Sequence, residues 1–243
     1  MDIIKVNATE STNSLAREWY NSNKNERPVC IVAFSQTSGR GQRGAQWVSN
    51  AGENLTFSII YPNPKIEIGD QFLLSAAVGL QIIKALKHLK INNLKLKWPN
   101  DIMADNFKIG GVLIENILKN NRIAASVIGI GLNINQVEFP DLPKASSLKN
   151  LTGTIFTRDE VLSTILNTME EMMLSNNKLF FENIIEDYEK LLFRIKKAST
   201  FQLKDGSFLT GIILGVTPFG LLRVQVEDEE IRTFDLKDLT LLF

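Results

Sequence analysis

The sequence contains very few of the residues that carry disulfide, metal-cluster or histidine-based chemistry. With one cysteine and one histidine among 243 residues, it cannot form an intrachain disulfide, and it lacks the ligands of a Cys/His metal cluster. Cys30 lies in the apolar run of residues 29–32 and is interpreted as a buried, inert thiol. His88 lies on a lysine-rich helix surface and is interpreted as a solvated bystander, which argues against a serine-histidine triad.

An excess of one charge, a long apolar run and a targeting segment are also missing. Lys plus Arg and Asp plus Glu both number 27, so the net charge does not predict a polyanionic partner. The longest uncharged apolar run, residues 123–134, is broken by glycines and is too short to span a bilayer. Residues 1–5 lack the features of a secretory signal. We therefore expect a cytoplasmic protein that binds neither nucleic acid nor membrane.

The length and the 44% hydrophobic content allow one large domain with a small appendage. Alternation predicts strands at residues 3–6, 28–35, 54–61, 94–98, 101–104, 108–117 and 123–134. Helices are predicted after Ser11 and Thr12, after Asp70, from Thr157 to about Ser175 and from about Lys178 to Arg194. The four strands between 94 and 134 should form neighbouring antiparallel hairpins. Residues 200–243 show four or five short alternating strands, which predicts a small β-barrel, so the expected domains are 1–197 and 198–243.

The long polar stretch between residues 36 and 53 is predicted to be a functional loop. Its segment 38–47 interleaves three glycines with Arg40 and Arg43. Glycine lets backbone amides turn toward an anion, and arginine adds forked charged donors. The segment matches neither a Walker A motif nor a dinucleotide fingerprint. A solvated loop or a short basic patch remains the alternative.

Two further segments could carry chemistry. Residues 97–101 (Lys-Trp-Pro-Asn-Asp) precede residues 108–111 (Lys-Ile-Gly-Gly) by one turn, which could place Lys97 and Lys108 side by side. The alternative makes Trp98 a core residue and the next residues a simple turn. Residues 128–135 alternate glycine with branched apolar residues, which requires something to pack closely on that strand. A ligand or a crossing backbone would satisfy this requirement, and the pattern by itself slightly favours the backbone.

Taken together, these segments resemble the biotin protein ligase family. The resemblance rests on Glu10–Asn13, on Gln36 with 39–44 and Trp47, and on 97–101, 108–111 and 129–133, in family order and spacing. It extends through 145–148 into the β-rich tail and covers nearly the whole chain. It implies an α+β fold, in which a mixed, largely antiparallel sheet packs with helices and a small SH3-like β-barrel follows at the C-terminus.

The resemblance also implies two sets of site residues. The set for biotin and its adenylate is Ser11, Thr12, Asn13, Gln36, Gly39, Arg40, Gly41, Gln42, Lys108 and Gly111. The set for ATP is Arg43, Trp47, Lys97, Asn100 and Asn133. Lys108, which would approach the biotin carboxylate and the α-phosphate, and Arg40, in the loop covering the acyl phosphate, are the expected catalytic residues.

The implied activity joins biotin to a lysine of the biotin carboxyl carrier protein of a biotin-dependent carboxylase, through biotinoyl-5'-AMP. It uses ATP and Mg²⁺, and neither step requires an enzyme nucleophile. The alternatives are a lipoate or octanoate ligase or transferase, and a biotin-responsive transcriptional regulator. Because the match begins by about Thr9, we expect the form without an N-terminal DNA-binding domain; monomer and homodimer both remain open.

The sequence departs from the family pattern at three places. The family often has basic residues where Gln42 and Ala45 stand, so this loop is less positive than some of its relatives' loops. Some relatives place an arginine against the nucleotide near the C-terminus, whereas this chain ends at Phe243 without one. These departures leave open how far the loop retains the adenylate and how the tail contributes to ATP binding.

Overall fold

The computed structural model of the protein describes residues 1–24, 26–175 and 183–243. Its strands are β1 (Asp2–Thr9), β2 (Val29–Gln36), β3 (Leu55–Pro62), β4 (Leu94–Lys97), β5 (Asp101–Ala104), β6 (Phe107–Lys119), β7 (Arg122–Leu132), β8 (Ala198–Leu203), β9 (Phe208–Val216), β10 (Leu222–Gln225), β11 (Ile231–Phe234) and β12 (Leu239–Leu242). Its helices are α1 (Thr12–Asn23), α2 (Gln71–His88), α3 (Leu148–Thr152), α4 (Arg158–Leu174) and α5 (Ile184–Leu191). The first five residues of the helix predicted from Lys178 lie outside the described residues.

The first seven strands form one mixed sheet in the order β1-β2-β3-β7-β6-β5-β4. β1 and β2 are parallel, and α1 supplies the crossover that a parallel pair requires. The remaining neighbours are antiparallel, and β4 to β7 form the predicted run of hairpins. The mixed, largely antiparallel sheet with packed helices is the α+β fold implied by the resemblance.

Helices cover both faces of this sheet. On one face, Ala16 of α1 packs with Ile31, Ile60 and Val127. On the other face, α2 packs against α4 and α5 over the main core. All eight residues of β3 are buried, because a strand between two helical layers has no solvent side.

The predicted pairing of Lys97 with Lys108 across the 105–106 turn was wrong. That turn joins β5 to β6, and Lys97 lies on β4, so β5 separates the two lysines. A bulge near Met103 shifts the β5–β6 register, which pairs Asp101 with Gly111. The two lysines therefore meet at a residue between them, Asp101, rather than at each other.

The last five strands form an antiparallel sheet in the order β11-β10-β9-β8-β12, consistent with the expected SH3-like fold. This sheet is attached to the larger one beside β4. Trp98 Nε1 donates to the carbonyl of Gly220 at 2.8 Å, and the amide of Phe193 donates to the carbonyl of Leu96 at 2.8 Å. The end of β4 and its connection to β5 are therefore fixed by hydrogen bonds to residues of the C-terminal part of the chain.

The single cysteine and the single histidine lie in contrasting environments. Cys30 is buried in β2, and burial raises the pKa of its thiol to about 12. His88 is exposed at the end of α2. In the part of the chain that the structure describes, no helix combines the length and the hydropathy needed to cross a membrane.

Candidate functional site

A first cavity of about 170 Å³ opens between the start of α1, strands β6 and β7, and the loop after β2. Its walls are Ser11, Thr12, Asn13, Gln36, Arg40, Gly41, Gln42, Ala45, Gln46, Trp47, Asn100, Asp101, Lys108, Gly111, Val112, Leu113, Gly129, Ile130 and Gly131. Ser11 is the N-cap of α1 but its side chain makes no capping hydrogen bond. Its buried hydroxyl therefore stands at the cavity wall instead of closing the helix.

The floor of the first cavity is polar and internally hydrogen-bonded. Gln36 Oε1 accepts from the backbone amide of Thr12 at 2.7 Å and lies 3.1 Å from its hydroxyl. Ser58 Oγ lies 2.7 Å from Thr12 Oγ1 and 2.6 Å from Asn13 Oδ1. Ser58 is completely buried in the middle of β3. A buried hydroxyl costs free energy unless it is hydrogen-bonded, so Ser58 serves to orient the two residues at the start of α1.

Glu115 of β6 connects this floor to the loop. Its Oε2 accepts from Asn13 Nδ2 at 2.7 Å and from Arg40 Nη2 at 2.9 Å. Neither Glu115 nor Ser58 was predicted to be a site residue. A signal for Ser58 existed, because a serine in the middle of a largely apolar strand needs a partner. For Glu115 the sequence offered only its place on a strand after Lys108.

The loop after β2 folds as a small hairpin in its glycine-rich part. Arg40 and Gln46 form an isolated β-bridge, the amide of Gly41 donates to the carbonyl of Ala45 at 2.7 Å, and the amide of Trp47 donates to that of Gly39 at 2.9 Å. This hairpin turns Arg40 toward the first cavity and leads the chain back to Trp47. Arg43, at its tip, has a φ of 56° and is exposed.

The glycines of β7 make room for site side chains. A Cβ at Gly129 would overlap the amide of Asn13, and one at Gly131 would lie 2.7 Å from Trp47 Cζ2 and closer still to Cε2. The expectation that a crossing backbone packs here was therefore wrong for this strand. Asn13 and Trp47 occupy the space, because α1 and the loop both lie on this face of β7.

Three charged residues converge where the cavity meets β5. Asp101 Oδ1 lies 2.6 Å from Lys108 Nζ, and its Oδ2 lies 3.3 Å from Lys97 Nζ. Lys108 Nζ also lies 5.7 Å from the centre of the Trp47 ring. Asn100 is held as a turn residue, since its Nδ2 donates to the carbonyl of Val112 at 2.7 Å. Asp101, which was quoted in the motif but given no role, thus fixes the positions of both lysines.

A second cavity of about 300 Å³ adjoins the first and shares with it Gln46, Trp47, Asp101 and Lys108. Its other walls are Val48, Lys97, Asn133, Phe139, Asp141, Leu142, Pro143, Lys144, Ala145 and Phe243. Its walls combine aromatic and aliphatic side chains with three lysines and two aspartates, so positively charged side chains are in excess. Such a lining suits a ligand that has a flat apolar part and an anionic part.

The C-terminal residue belongs to this second cavity. Lys97 Nζ and Lys144 Nζ lie 5.2 and 5.4 Å from the centre of the Phe243 ring. Phe193 packs edge-on against the same ring, with a centroid separation of 5.2 Å. Phe243 and Lys144 both line this cavity, and neither was predicted to be a site residue.

Most of the residues expected in a site lie together. The first cavity contains Ser11, Thr12, Asn13, Gln36, Arg40, Gly41, Gln42, Trp47, Asn100, Lys108 and Gly111, and the second contains Trp47, Lys97, Lys108 and Asn133. Gly39 and Arg43 line neither; they border a hollow on the outer side of the loop hairpin. Asn133 is buried, and its Nδ2 donates to the carbonyl of Ser146 at 2.9 Å.

The chain is similar to known proteins in sequence and in structure. Residues 6–133 match the biotin/lipoate A/B protein ligase family. The chain is 31% identical over 232 residues to the bifunctional ligase/repressor BirA of Bacillus spizizenii, covering 93% of this chain and 70% of that protein. It is 26% identical over 231 residues to the biotin–[acetyl-CoA-carboxylase] ligase of Mycobacterium tuberculosis, covering 93% and 83% of the two chains. Its structure is similar to that of the biotin protein ligase from Aquifex aeolicus in complex with biotin and ATP, with a TM-score of 0.81, 27% identity and coverage of 99% and 98%.

Proposed function

The chain belongs to the biotin/lipoate A/B protein ligase family, and from that membership we propose that it biotinylates a lysine of a biotin carboxyl carrier protein. Biotin would first react with ATP to give biotinoyl-5'-AMP, and the carrier lysine would then take the biotinoyl group. The observation that carries this proposal is the pair of adjoining cavities, one with a polar floor and one with a mixed aromatic and cationic lining, which meet at Lys108 and Trp47.

The first cavity suits the cyclic urea of biotin. This ring offers two N–H donors and one carbonyl acceptor, and the cavity wall offers the polar side chains of Ser11, Thr12, Asn13 and Gln36. A dithiolane or an alkyl chain has no such groups, so it could not pair with a wall group such as the Ser11 hydroxyl, which makes no capping hydrogen bond. Each polar group that a ligand buries without a partner costs about 1 to 3 kcal/mol. The polar floor therefore favours biotin over lipoate and octanoate within the same family.

In the first proposed step, a biotin carboxylate oxygen attacks the α-phosphorus of ATP. A new P–O bond forms, the bond to the bridging oxygen of the β-phosphate breaks, and pyrophosphate leaves with that electron pair. The step needs two anions to be held together, so cations must offset their repulsion. Lys108 is suited to this role because it lines both cavities and Asp101 fixes its position. Arg40 would cover the acyl phosphate from the loop.

In the second proposed step, the amine of the carrier lysine attacks the acyl carbon of the mixed anhydride. The amide bond forms, the bond from the acyl carbon to the phosphate oxygen breaks, AMP leaves, and the amine loses a proton. No enzyme nucleophile takes part. The contribution of the protein is to keep the anhydride away from water until the carrier arrives, which is the task we assign to residues 38–46.

Magnesium would be bound with the triphosphate, where it would neutralise phosphate charge. Within the described residues, no group of three or more His, Cys, Asp or Glu side chains is arranged to hold a metal ion by itself. Protein sites for Mg²⁺ commonly use one or two carboxylates together with substrate phosphates. Asp101 is the carboxylate that both cavities share. Its two oxygens pair with Lys108 and Lys97, so it would contribute to Mg²⁺ binding only if one of these ion pairs opened. Arg43, which is exposed, would contact the nucleotide only if the loop moves.

We further propose that residues 1–197 act as the catalytic domain and 198–243 as a small domain that contributes Phe243 to the nucleotide cavity. The cytoplasm is the proposed location, and a biotin-dependent carboxylase subunit is the proposed partner. The two domains, the location and the partner are proposed for this chain on the basis of its family membership.

One assay tests the proposed function. The protein is incubated with biotin, MgATP and a biotin carboxyl carrier domain, and the mass of the carrier is measured. We expect one added biotinoyl group on one lysine and no added mass when lipoate or octanoate replaces biotin. If several different carrier domains all remain unmodified, the proposal is wrong. Efficient transfer of a lipoyl group would favour the alternative within the family, a lipoate or octanoate ligase or transferase.

A further inference from the structure

A continuous set of hydrogen bonds joins the floor of the first cavity to the loop above it. Along this path Gln36 contacts Thr12, Ser58 contacts both Thr12 and Asn13, and Glu115 contacts Asn13 and Arg40. We call these six residues the floor network. Gln36 lies where β2 passes into the loop, and Arg40 lies within the loop. The network therefore starts and ends on the loop and passes beneath the ligand cavity between those points.

The backbone of Glu115 is fixed from outside the floor network. Glu115 lies within β6 and pairs with Val127 of β7, so the sheet fixes its backbone. A single carboxylate oxygen, Oε2, accepts from both Asn13 and Arg40. Because Asn13 and Arg40 donate to the same oxygen, a displacement of either side chain shifts this oxygen or changes its charge distribution. The hydrogen bond to the other side chain then changes as well.

Glu115 also determines which end of the Asn13 amide faces which partner. Asn13 Nδ2 donates to Glu115 Oε2 at 2.7 Å and weakly to the carbonyl of Leu113 at 3.3 Å. Its Oδ1 lies 2.6 Å from Ser58 Oγ, a hydroxyl that can donate to it. Because carboxylates and carbonyls only accept, they fix the NH₂ group on the β6 side and leave the oxygen toward β3.

The Arg40–Glu115 ion pair would contribute little if it acted alone. The two side chains are 45% and 24% exposed, and exposed ion pairs stabilise proteins by about 0 to 1 kcal/mol. Its importance lies in what it connects. Asn13 is 3% exposed and belongs to the rigid start of α1, whereas Arg40 belongs to a short loop hairpin. Glu115 thus provides the direct contact between a buried ring-binding residue and the cation of the loop.

We infer that Glu115 is a positioning residue, which fixes the Asn13 amide for the ring of the acyl substrate and holds Arg40 over the same cavity. Through it, filling the first cavity and closing the loop become coupled. This inference rests on the proposed function, since it assigns a role within adenylate formation and retention. It adds a residue that acts through Asn13 and Arg40 and does not itself contact the reacting atoms.

The test compares Glu115→Gln, Arg40→Gly and the double variant. Glutamine keeps an oxygen acceptor for Asn13 but removes the charge that holds Arg40. We expect biotin affinity to change by less than about 3-fold, and biotinoyl-adenylate to dissociate about 5- to 10-fold faster, because hydrogen bonds to charged groups contribute more than neutral ones. In the Arg40→Gly background, Glu115→Gln should produce no further increase in the dissociation rate.

Glu171→Gln is the matched control, because Glu171 forms an exposed ion pair with Lys84 that contacts neither cavity. Its adenylate retention should equal that of the parent.

Three outcomes would each overturn the inference: equal retention by Glu115→Gln and the parent, additive effects in the double variant, or tighter adenylate binding by Glu115→Gln. If Glu115→Gln does not fold, Glu115→Asp replaces it: the shorter carboxylate cannot reach both donors at these distances and should also release adenylate faster. Failure of the parent to form any adenylate would instead contradict the proposed function, so the two failures are distinguishable.

Discussion

The indole ring of Trp47 occupies the space where Gly131 would otherwise carry a side chain. A Cβ at Gly131 would lie 2.7 and 2.8 Å from Cζ2 and Nε1 of that ring. Trp47 in turn lies beneath Lys108 and forms a wall of both cavities. A glycine near the C-terminal end of β7 therefore sets the position of the boundary between the two proposed substrate sites.

We predict that Gly131→Ala displaces Trp47 and slows adenylate formation by at least about 10-fold, because overpacking a close contact costs about 1 to 3 kcal/mol. Rapid-quench measurement of adenylate and the tryptophan emission spectrum would report the two effects. Gly69→Ala is the matched control, since a Cβ there meets nothing within 4 Å. A Gly131→Ala variant with parental rate and parental emission would show that the ring is not fixed by this glycine.

Lys108→Ala should slow adenylate formation by at least 100-fold, since one charged group that stabilises a transition state commonly contributes about 3 kcal/mol. Pyrophosphate release under single-turnover conditions measures the step. Lys87→Ala, which removes an exposed lysine at the end of α2, should keep the parental rate. An unchanged release rate in Lys108→Ala would mean that its ion pair with Asp101 is structural only.

The loop of residues 38–46 is expected to exchange its amide hydrogens more slowly when biotin or the adenylate is bound. Ordering costs about 1 to 2 kcal/mol per residue, and this polar segment has little apolar surface to offset that cost. Arg40→Gly should release the adenylate faster and label lysines of bystander proteins, whereas Gln42→Ala should do less because it removes no charge. Equal exchange with and without biotin, or parental retention in Arg40→Gly, would disprove loop closure.

Phe243→Ala is predicted to raise the KM for ATP by about 10-fold while the affinity for biotin stays within about 2-fold. The ring contacts Lys97 and Lys144, which line the proposed nucleotide cavity with it. Removing the ring removes two cation–π contacts that hold these lysines in place, each worth about 0.5 to 1 kcal/mol. Steady-state kinetics and biotin titration separate the two parameters. Leu242→Ala, at the neighbouring 40% exposed residue, should leave both unchanged. A parental KM in Phe243→Ala would exclude the C-terminal residue from nucleotide binding.

Cys30 should resist thiol reagents at neutral pH in the folded protein and react as one thiol after denaturation. Burial raises the pKa of its thiol from 9.0 to about 12. Below pH 9 both states keep the proton. Between pH 9 and 12 only the unfolded chain loses it, so the free energy of unfolding falls as pH rises, by up to about 1.4 kcal/mol per unit. Cys30→Val should remove this part of the slope, which denaturation at pH 8 and pH 10 measures.

Much of the larger sheet could be predicted because its strands and turns carry local signals. The strands predicted between residues 94 and 134 form the expected neighbouring hairpins, with turns at residues 105–106 and 120–121. The five-residue helix α3 was missed, since one turn of helix leaves almost no periodic pattern. Whether β3 is covered on both faces depends on where α1 and α2 pack, and the order of apolar and polar residues within the strand contains no information about this packing.

For the site, the sequence alone determined which segments carry unusual chemistry. Glycines next to arginines or lysines break ordinary strand and loop composition, so residues 38–47 and 108–111 were recognisable locally, and their resemblance to one family assigned them a function. Only the tertiary structure decided how they meet: Asp101 between two lysines, Glu115 between Asn13 and Arg40, and Phe243 at the second cavity. The physical reason is that glycine conformations and turn residues act over a few neighbouring positions, whereas ion pairs and ring contacts join residues that are far apart in the chain. Lys97 and Phe243, for example, are 146 positions apart and meet only because strand register and helix packing bring them together.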